Sequence, residues 1–193
     1  MSNIEVKKLQ DVCQIQLGYQ FRKRFEHDLS GNYSVIQMKD VEDYSLNISE
    51  LLKVKIEKVK KEYLISKNTI LFMPRGFNND AILIKEDLED TIATSQFYIL
   101  KVADQSILPE YLTWYINQRP AQKYFVSNRA GTSILIINIG QLKELEVRIP
   151  DIKTQENIVK AYDLSRREKQ IYQEITEKRH HLINEMLLSK INL

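Results

Sequence analysis

Residues 150–193, PDIKTQENIVKAYDLSRREKQIYQEITEKRHHLINEMLLSKINL, decide how this sequence is organised. After Pro150 the stretch contains neither glycine nor proline, the two residues that most often end a helix. A proline keeps the residue before it out of helical geometry, so Pro150 marks a boundary. Thr154 is the predicted N-cap. The stretch therefore predicts one helix over 151–193.

Apolar residues on this helix form a narrow stripe. At about 100° per residue, five of them fall within one arc: Leu164, Ile171, Ile175, Leu182 and Met186. Such a stripe is typical of a coiled-coil seam, although Glu168 and Lys178 interrupt it. A helix of roughly 35–40 residues is about 55 Å long, which is more than a domain of this size can cover. The stripe favours a partner helix, and the alternative is an amphipathic helix that folds back on its own domain.

Residues 1–150 contain every glycine and proline of the chain and indicate mixed strands and short helices. β-branched and aromatic runs predict strands at 35–38, 69–73, 81–84 and 96–100, and polar–apolar alternation predicts another at 144–149. Pro109 is predicted to open a helix that reaches Gln118, and Pro120 a second short helix. The predicted class is α+β: a mixed-strand domain at 1–150, followed by one long helix of coiled-coil type at 151–193.

Composition narrows the classes of function. The 193 residues carry a net charge of +2, so a surface for nucleic acid has to be a local patch. The single cysteine, Cys13, excludes an internal disulfide and a cysteine-based zinc site. The sequence has no apolar run of membrane-spanning length, no signal region, and no nucleotide-binding, hydrolase or metal-ligand motif. We expect a cytoplasmic protein without membrane contact and without a catalytic site, metal or cofactor of its own.

Segments 18–24 (GYQFRKR), 74–80 (PRGFNND) and 128–133 (NRAGTS) read as loops rich in hydrogen-bond donors. Arginine can donate twice to guanine, and glutamine or asparagine can pair twice with adenine. Lysine, serine and threonine suit phosphate oxygens. With Lys39, these segments give the candidate DNA-binding residues: Tyr19, Gln20, Arg22, Lys23, Arg24, Lys39, Arg75, Asn78, Asn79, Arg129, Thr132 and Ser133.

The order of segments resembles half of a specificity subunit of a type I restriction-modification system. Leu9 to Gly18 is similar to the family's opening strand and glycine, and 109–112 (PEYL) resembles its Pro-x-Tyr-Leu helix. The stretch 149–159 (IPDIKTQENIV) resembles the family's Pro-Pro-Leu-x-Glu-Gln-x-x-Ile junction, with Asp151 and Thr154 in place of proline and glutamate. The likeness spans nearly the whole chain.

This resemblance implies a non-catalytic subunit whose target recognition domain reads one half of an interrupted site in double-stranded DNA. Family members carry two such domains separated by paired helices, bind DNA methyltransferase subunits, and can be joined by a motor endonuclease (restriction) subunit. S-adenosylmethionine and ATP would belong to those partners. With one domain and one helix, this chain is expected to form a homodimer through its C-terminal helix.

Two alternatives stay open at this point. The chain is either a natural half-subunit or a piece of a longer two-domain subunit. In function, the alternative is a protein-interaction or assembly module that acts through its C-terminal helix and binds no specific DNA sequence.

Overall fold

The structure, a computed structural model, describes residues 4–22, 25–76, 79–128 and 136–191. It forms two compact units, Met1–Gln155 and Glu156–Leu193. The mixture of strands and helices with one long C-terminal helix confirms the α+β class. Its elements, in chain order, are β1 Glu5–Lys8, α1 Leu9–Val12, β2 Cys13–Leu17, β3 Tyr33–Ile36, β4 Val41–Glu42, β5 Ser45–Leu46, β6 Leu52–Val54, β7 Thr69–Phe72, β8 Ala81–Leu83, β9 Thr91–Ala93, β10 Tyr98–Val102, α2 Pro109–Ile116, α3 Arg119–Asn128, α4 Ile139–Lys143, β11 Glu146–Ile149 and α5 Ile152–Lys190.

A four-stranded antiparallel sheet in the order β2-β10-β7-β8 forms the centre of the first unit. All four residues of β7 are buried, because both faces of the sheet are covered. On one face Leu71 and Ile99 pack in a cluster with Ile36 of β3. On the other face the ring of Phe72 lies 5.2 Å from that of Phe125 in α3. The first unit therefore stacks a second sheet, the central sheet and helices in layers.

The second sheet has the order β6-β3-β9, with β3 antiparallel to β6 and parallel to β9. Successive side chains of a strand point to opposite faces. Ile36 and Ala93 thus pack toward the central sheet, whereas Val35 and Ile92 belong to a separate cluster with Val54. Tyr19, Phe21 and Phe25, which follow β2, pack against this second cluster.

The two sheets join where β2 ends, at Gly18. The Gly18 amide donates to the Phe97 carbonyl at 2.9 Å, and the next amide, of Tyr19, donates to the Ala93 carbonyl at 2.7 Å. A Cβ atom on Gly18 would lie 2.2 Å from the Thr94 carbonyl oxygen. Backbone atoms of Ala93 and Thr94 leave no room for it, so this crossing requires glycine.

Helix α5 is 39 residues long, and its first turn belongs to the first unit. The Asp151 carboxylate accepts hydrogen bonds from Thr154 N at 2.9 Å and Thr154 Oγ1 at 2.8 Å. Asp151 therefore caps the helix, and the prediction of Thr154 as the cap was wrong. A carboxylate suits this position because it also interacts favourably with the helix dipole. Within the described ranges, no helix is long and apolar enough to cross a membrane.

Gln155, in the same turn, is fully buried and uses both ends of its amide. Its Nε2 donates to the carbonyls of Ser106 and Pro150, both at 2.8 Å. Its Oε1 accepts from Leu108 N at 2.9 Å. One side chain thus satisfies three backbone groups and ties the start of α5 to the segment before α2.

Local patterns predicted five of the strands and the helices α2, α3 and α5, and a few boundaries differ. Residues 9–12 form a helical turn rather than part of an opening strand, which buries Leu9 and Val12 three positions apart. The strand predicted at 35–38 ends at Ile36, because residues Met38–Asp40 form a 3₁₀ turn in which the Asp40 carboxylate accepts from Gln37 N at 2.8 Å. The strand predicted at 96–100 begins at Tyr98 and runs on to Val102.

Replacing Gly18 with alanine should lower the free energy of unfolding by about 3 kcal/mol, because the new Cβ meets backbone that cannot rotate away. Urea unfolding measures the change. The matched control is Gly140→Ala in α4, where the Cβ would lie 3.2 Å from Asn138 Oδ1, a side-chain atom that needs to shift by only a few tenths of an ångström. The control should change stability by less than about 1 kcal/mol. Equal unfolding midpoints for the two variants would show that the crossing does not constrain the fold.

Gln155→Leu should destabilise the first unit by about 3 kcal/mol, because it leaves one buried and two partly buried backbone groups without their partner. The control is Gln173→Leu, an exposed glutamine on the same helix, which should stay within about 0.5 kcal/mol of the parent. Both are measured by urea unfolding at one protein concentration. A Gln155→Leu midpoint equal to the control's would contradict the role assigned to this amide.

Candidate nucleic-acid interface

Two of the loop segments predicted from sequence leave the central sheet at the same edge. In the strand registers, Tyr98 lies opposite Leu17 on one side and opposite Phe72 on the other. Leu17 leads into segment 18–24, and Phe72 leads into segment 74–80. Neighbouring strands are about 4.8 Å apart, so the two segments start within about 10 Å of each other.

The residues that follow the third segment lie against the second one. Ile136 forms an antiparallel bridge with Arg75, and Ile137 N donates to the Pro74 carbonyl at 3.0 Å. The Tyr98 hydroxyl donates to the Ile137 carbonyl at 3.1 Å. Three predicted site residues in this segment lie outside the described residues: Arg129, Thr132 and Ser133. The chain nevertheless comes back from the third segment at the edge that the other two share.

Aromatic side chains hold the first segment on the second cluster. We call residues 19–22 the arm. The Tyr19 ring packs edge-on against Phe21 at 4.9 Å and against Tyr63 at 5.5 Å. The intervening Gln20 and Arg22 are exposed. Alternation along the arm therefore anchors the aromatic residues and presents an amide and a guanidinium to solvent. The predicted contacts Lys23 and Arg24 lie outside the described residues.

In the second segment, one predicted site residue is exposed and another is buried. Arg75 is exposed, and its charge partly offsets the rise in the pKa of Tyr98 that burial causes. Asn79 is fully buried, and its Nδ2 donates to the Met73 carbonyl at 3.2 Å. Asn79 therefore shapes the loop from inside, which corrects its assignment as a DNA contact. Asn78 falls outside the described residues.

Two helix amides that sequence reasoning missed position this loop. Gln122 of α3 donates from Nε2 to the Asn79 carbonyl at 3.0 Å. Asn117, directly after α2, accepts from Ala81 N and donates to Ala81 O, both at 2.8 Å. The spacing of these amides gives no warning of their role, because their partners lie some 40 residues away along the chain.

Lys39 lies at the end of the second sheet that adjoins the arm. It is exposed in the 3₁₀ turn that follows β3. The end of β3 is joined to the arm through Thr94, whose amide donates to the Ile36 carbonyl at 3.0 Å and which pairs with Tyr19 in a parallel bridge. Lys39 therefore lies just beyond the end of β3 that is joined to the arm.

A second basic feature escaped the sequence reasoning, although its signal is plain. Five lysines fall between residues 53 and 61, and all of them are exposed: Lys53, Lys55, Lys58, Lys60 and Lys61. Val54 and Val59, between them, are buried in the second cluster. Lys60 has a long 3.8 Å ion pair with Glu62. The segment thus carries an excess of positive charge on an anchored backbone.

The described residues offer no arrangement suited to metal or thiol chemistry. Histidine, cysteine and carboxylate side chains in the described ranges form no group that could hold a metal ion. Burial raises the pKa of the Cys13 thiol to about 12, so the thiolate is scarce near neutral pH. The exposed groups at the shared edge suit hydrogen bonding and charge pairing.

The second unit carries the predicted stripe as an exposed apolar face. Its five residues range from 44% exposed at Ile171 to 62% exposed at Leu164. Other exposed large apolar residues of the same helix, absent from the predicted stripe, are Ile152, Tyr172, Ile183, Leu187 and Leu188. The stripe has the seven- and four-residue spacing of a coiled-coil seam, and its pairing stays a prediction.

Comparison with known proteins gives consistent results. The sequence model of the family described as "Type I restriction modification DNA specificity domain" matches residues 1–177. The chain is 25% identical over 141 residues to the type I restriction enzyme HindI specificity subunit of Haemophilus influenzae, a match that covers 71% of this chain and 30% of the relative.

Solved structures show the same fold. The HsdS subunit from Thermoanaerobacter tengcongensis superposes with a TM-score of 0.62 at 14% identity, covering 87% of this chain and 43% of that one. The S subunit of a type I restriction-modification system from M. genitalium gives 0.57 at 17% identity, covering 84% and 39%. This chain thus spans less than half the length of these relatives. The match to the family over nearly its whole length shows that the chain belongs to the type I restriction-modification DNA specificity domains.

Proposed function

We propose that this chain is a DNA sequence-recognition subunit of a type I restriction-modification system, in which the first unit is one target recognition domain. The observation that carries the proposal is the convergence of exposed donors at one edge of the central sheet and the adjoining end of the second sheet. Gln20, Arg22, Lys39 and Arg75 are the described members of this set. Buried strands hold the backbone beneath them, so the donors sit on a rigid base.

The donors divide into two kinds of contact. Arg22 and Lys39 suit phosphate oxygens, which fix the position of a protein on the duplex but carry no sequence information. Gln20 suits an adenine edge and Arg75 a guanine edge, where each bidentate pair contributes about 1–3 kcal/mol of discrimination. The lysine-rich segment 53–61 adds long-range attraction for the phosphate backbone.

The proposed partners follow from family membership. The chain would act without catalysis of its own and direct DNA methyltransferase subunits to the site that it reads. A restriction subunit would join the same assembly. S-adenosylmethionine and ATP would bind to those subunits. The relatives named above are specificity subunits or S subunits of type I systems, which supports this assignment.

We also propose that two copies pair through α5. The exposed apolar stripe supports this, because a paired helix would remove it from water. A closed two-fold dimer places identical reading surfaces in inverted orientation. Identical surfaces read identical half-sites, so the target would be an interrupted palindrome. The same stripe also supports the alternative, an assembly module that acts through the helix alone.

Replacing single donors should separate the two kinds of contact. Arg22→Ala should weaken binding to all duplexes and reduce the salt slope by about 0.9, because one phosphate contact is lost. Arg75→Ala should cost about 1–3 kcal/mol at one base pair while leaving the others unchanged. The measurement is a salt titration on duplexes that the wild-type chain enriches from a randomised pool.

The matched control is Lys67→Ala, an exposed lysine in the turn at the opposite end of β7. It should alter neither the salt slope nor base preference. If all three variants bind as the wild type does, the proposed surface is wrong. If the wild-type chain enriches no sequence at all while α5 still mediates assembly, the interaction-module alternative is favoured.

Charged substitutions in the stripe should separate the copies. Ile171→Glu with Ile175→Glu would place unpaired carboxylates in an apolar seam, so sedimentation at micromolar concentration should show a monomer in place of a dimer. The control is Gln173→Glu, about 200° around the helix from Ile171, which should leave the dimer intact.

The sites enriched by the wild-type chain test the same proposal independently. Changing the spacer by one base pair rotates one half-site by about 34–36°, which should sharply reduce bivalent binding while a single half-site still binds weakly. Enriched sites that are asymmetric or contiguous would contradict the homodimer. A monomeric wild-type chain at micromolar concentration would do so as well.

A further inference from the structure

Two buried polar atoms at the junction of the two sheets make no hydrogen bond. Among the described residues, Gln37 Nε2 and Thr94 Oγ1 are the buried side-chain nitrogen or oxygen atoms without a partner. Natural structures keep very few such groups, because an unpaired buried donor or acceptor destabilises the fold. Two of them at neighbouring positions therefore call for an explanation.

Both atoms lie where the proposed DNA-binding edge is assembled. The parallel register pairs Ile36 with Ala93, and the backbone of Gln37 continues extended with φ −117° and ψ 165°. Gln37 and Thr94 therefore occupy adjacent positions on one face of the second sheet. Thr94 also pairs with Tyr19 at the root of the arm. Gln37 thus lies between the arm and Lys39.

The two side chains differ in what they can reach. Thr94 is 7% exposed and has a short, β-branched side chain that is stiff at χ1. Gln37 is only half-buried and has three rotatable bonds. Because its Nε2 makes no hydrogen bond in the free protein, rotating the amide outward breaks none at that nitrogen.

We propose that Gln37 is a specificity-determining residue whose amide turns outward to pair with an adenine edge in the target DNA. This inference rests on the proposed function and adds a base contact that lies outside the three loop segments. A glutamine amide matches the N6 and N7 positions of adenine in the major groove. The duplex would supply the partner that Nε2 lacks, so binding gains a hydrogen bond for a donor that has none in the free protein.

The test is the near-isosteric variant Gln37→Met, assayed by enrichment from a pool of randomised duplexes. It should lose about 5- to 150-fold preference for adenine at one base-pair position of each half-site. Preference elsewhere and the salt slope should stay as in the wild type. The unfolding midpoint should not fall, because the substitution removes an unpaired donor rather than a hydrogen bond.

Thr94→Val is the matched control, since it removes the other unpaired atom from the same junction. It should keep every base preference and be at least as stable as the wild type. Gln37→Met with unchanged preference at all positions would overturn the inference, and so would an equal loss at all positions. A wild-type chain that enriches no sequence would overturn the proposed function itself and this inference with it.

Discussion

The backbone just after β2 hydrogen-bonds to both sheets at Gly18 and Tyr19, and the position of the arm depends on that approach. The Gly18 amide donates to the Phe97 carbonyl and the Tyr19 amide donates to the Ala93 carbonyl, and these two acceptors flank the turn between β9 and β10. A side chain there would push β2 away from the end of β9. The arm would then no longer pack on the second cluster, and the end of β3 would separate from the edge that carries Arg75.

Amide side chains have two roles in this domain: some satisfy backbone groups inside the fold, and others are exposed to solvent. Gln155, Asn79 and Gln122 use their amides to satisfy backbone groups inside the fold. Gln20 is exposed and free to meet a ligand. Low polarity around a buried amide makes its hydrogen bonds strong and their loss costly, so an amide that already satisfies backbone groups shapes a loop and stays committed to that role. The chemistry of a residue type is thus necessary for a contact but not sufficient.

The same distinction explains what the sequence could predict. Strands such as β7 and the long helix are visible because their patterns are local: an apolar run, or a stretch without glycine and proline. The short strands β6 and β9 were missed, since each has three residues and is defined by partners far along the chain. Asn79 was misassigned for a related reason, because only the fold shows that Gln122 and Met73 enclose it.

A single recognition unit discriminates weakly between DNA sites, and an exposed apolar helix is unfavourable in water. Pairing two copies through the helix would address both. A half-site with a few base contacts, each contributing about 1–3 kcal/mol, discriminates poorly against the many competing sites of a genome. Joining two units makes the second binding event intramolecular, which raises affinity without any new contact. The stripe on α5 needs a partner to leave water, and its partner would bring the second unit. Pairing the helices would therefore remove an exposed surface from water and supply a second reading surface in one step.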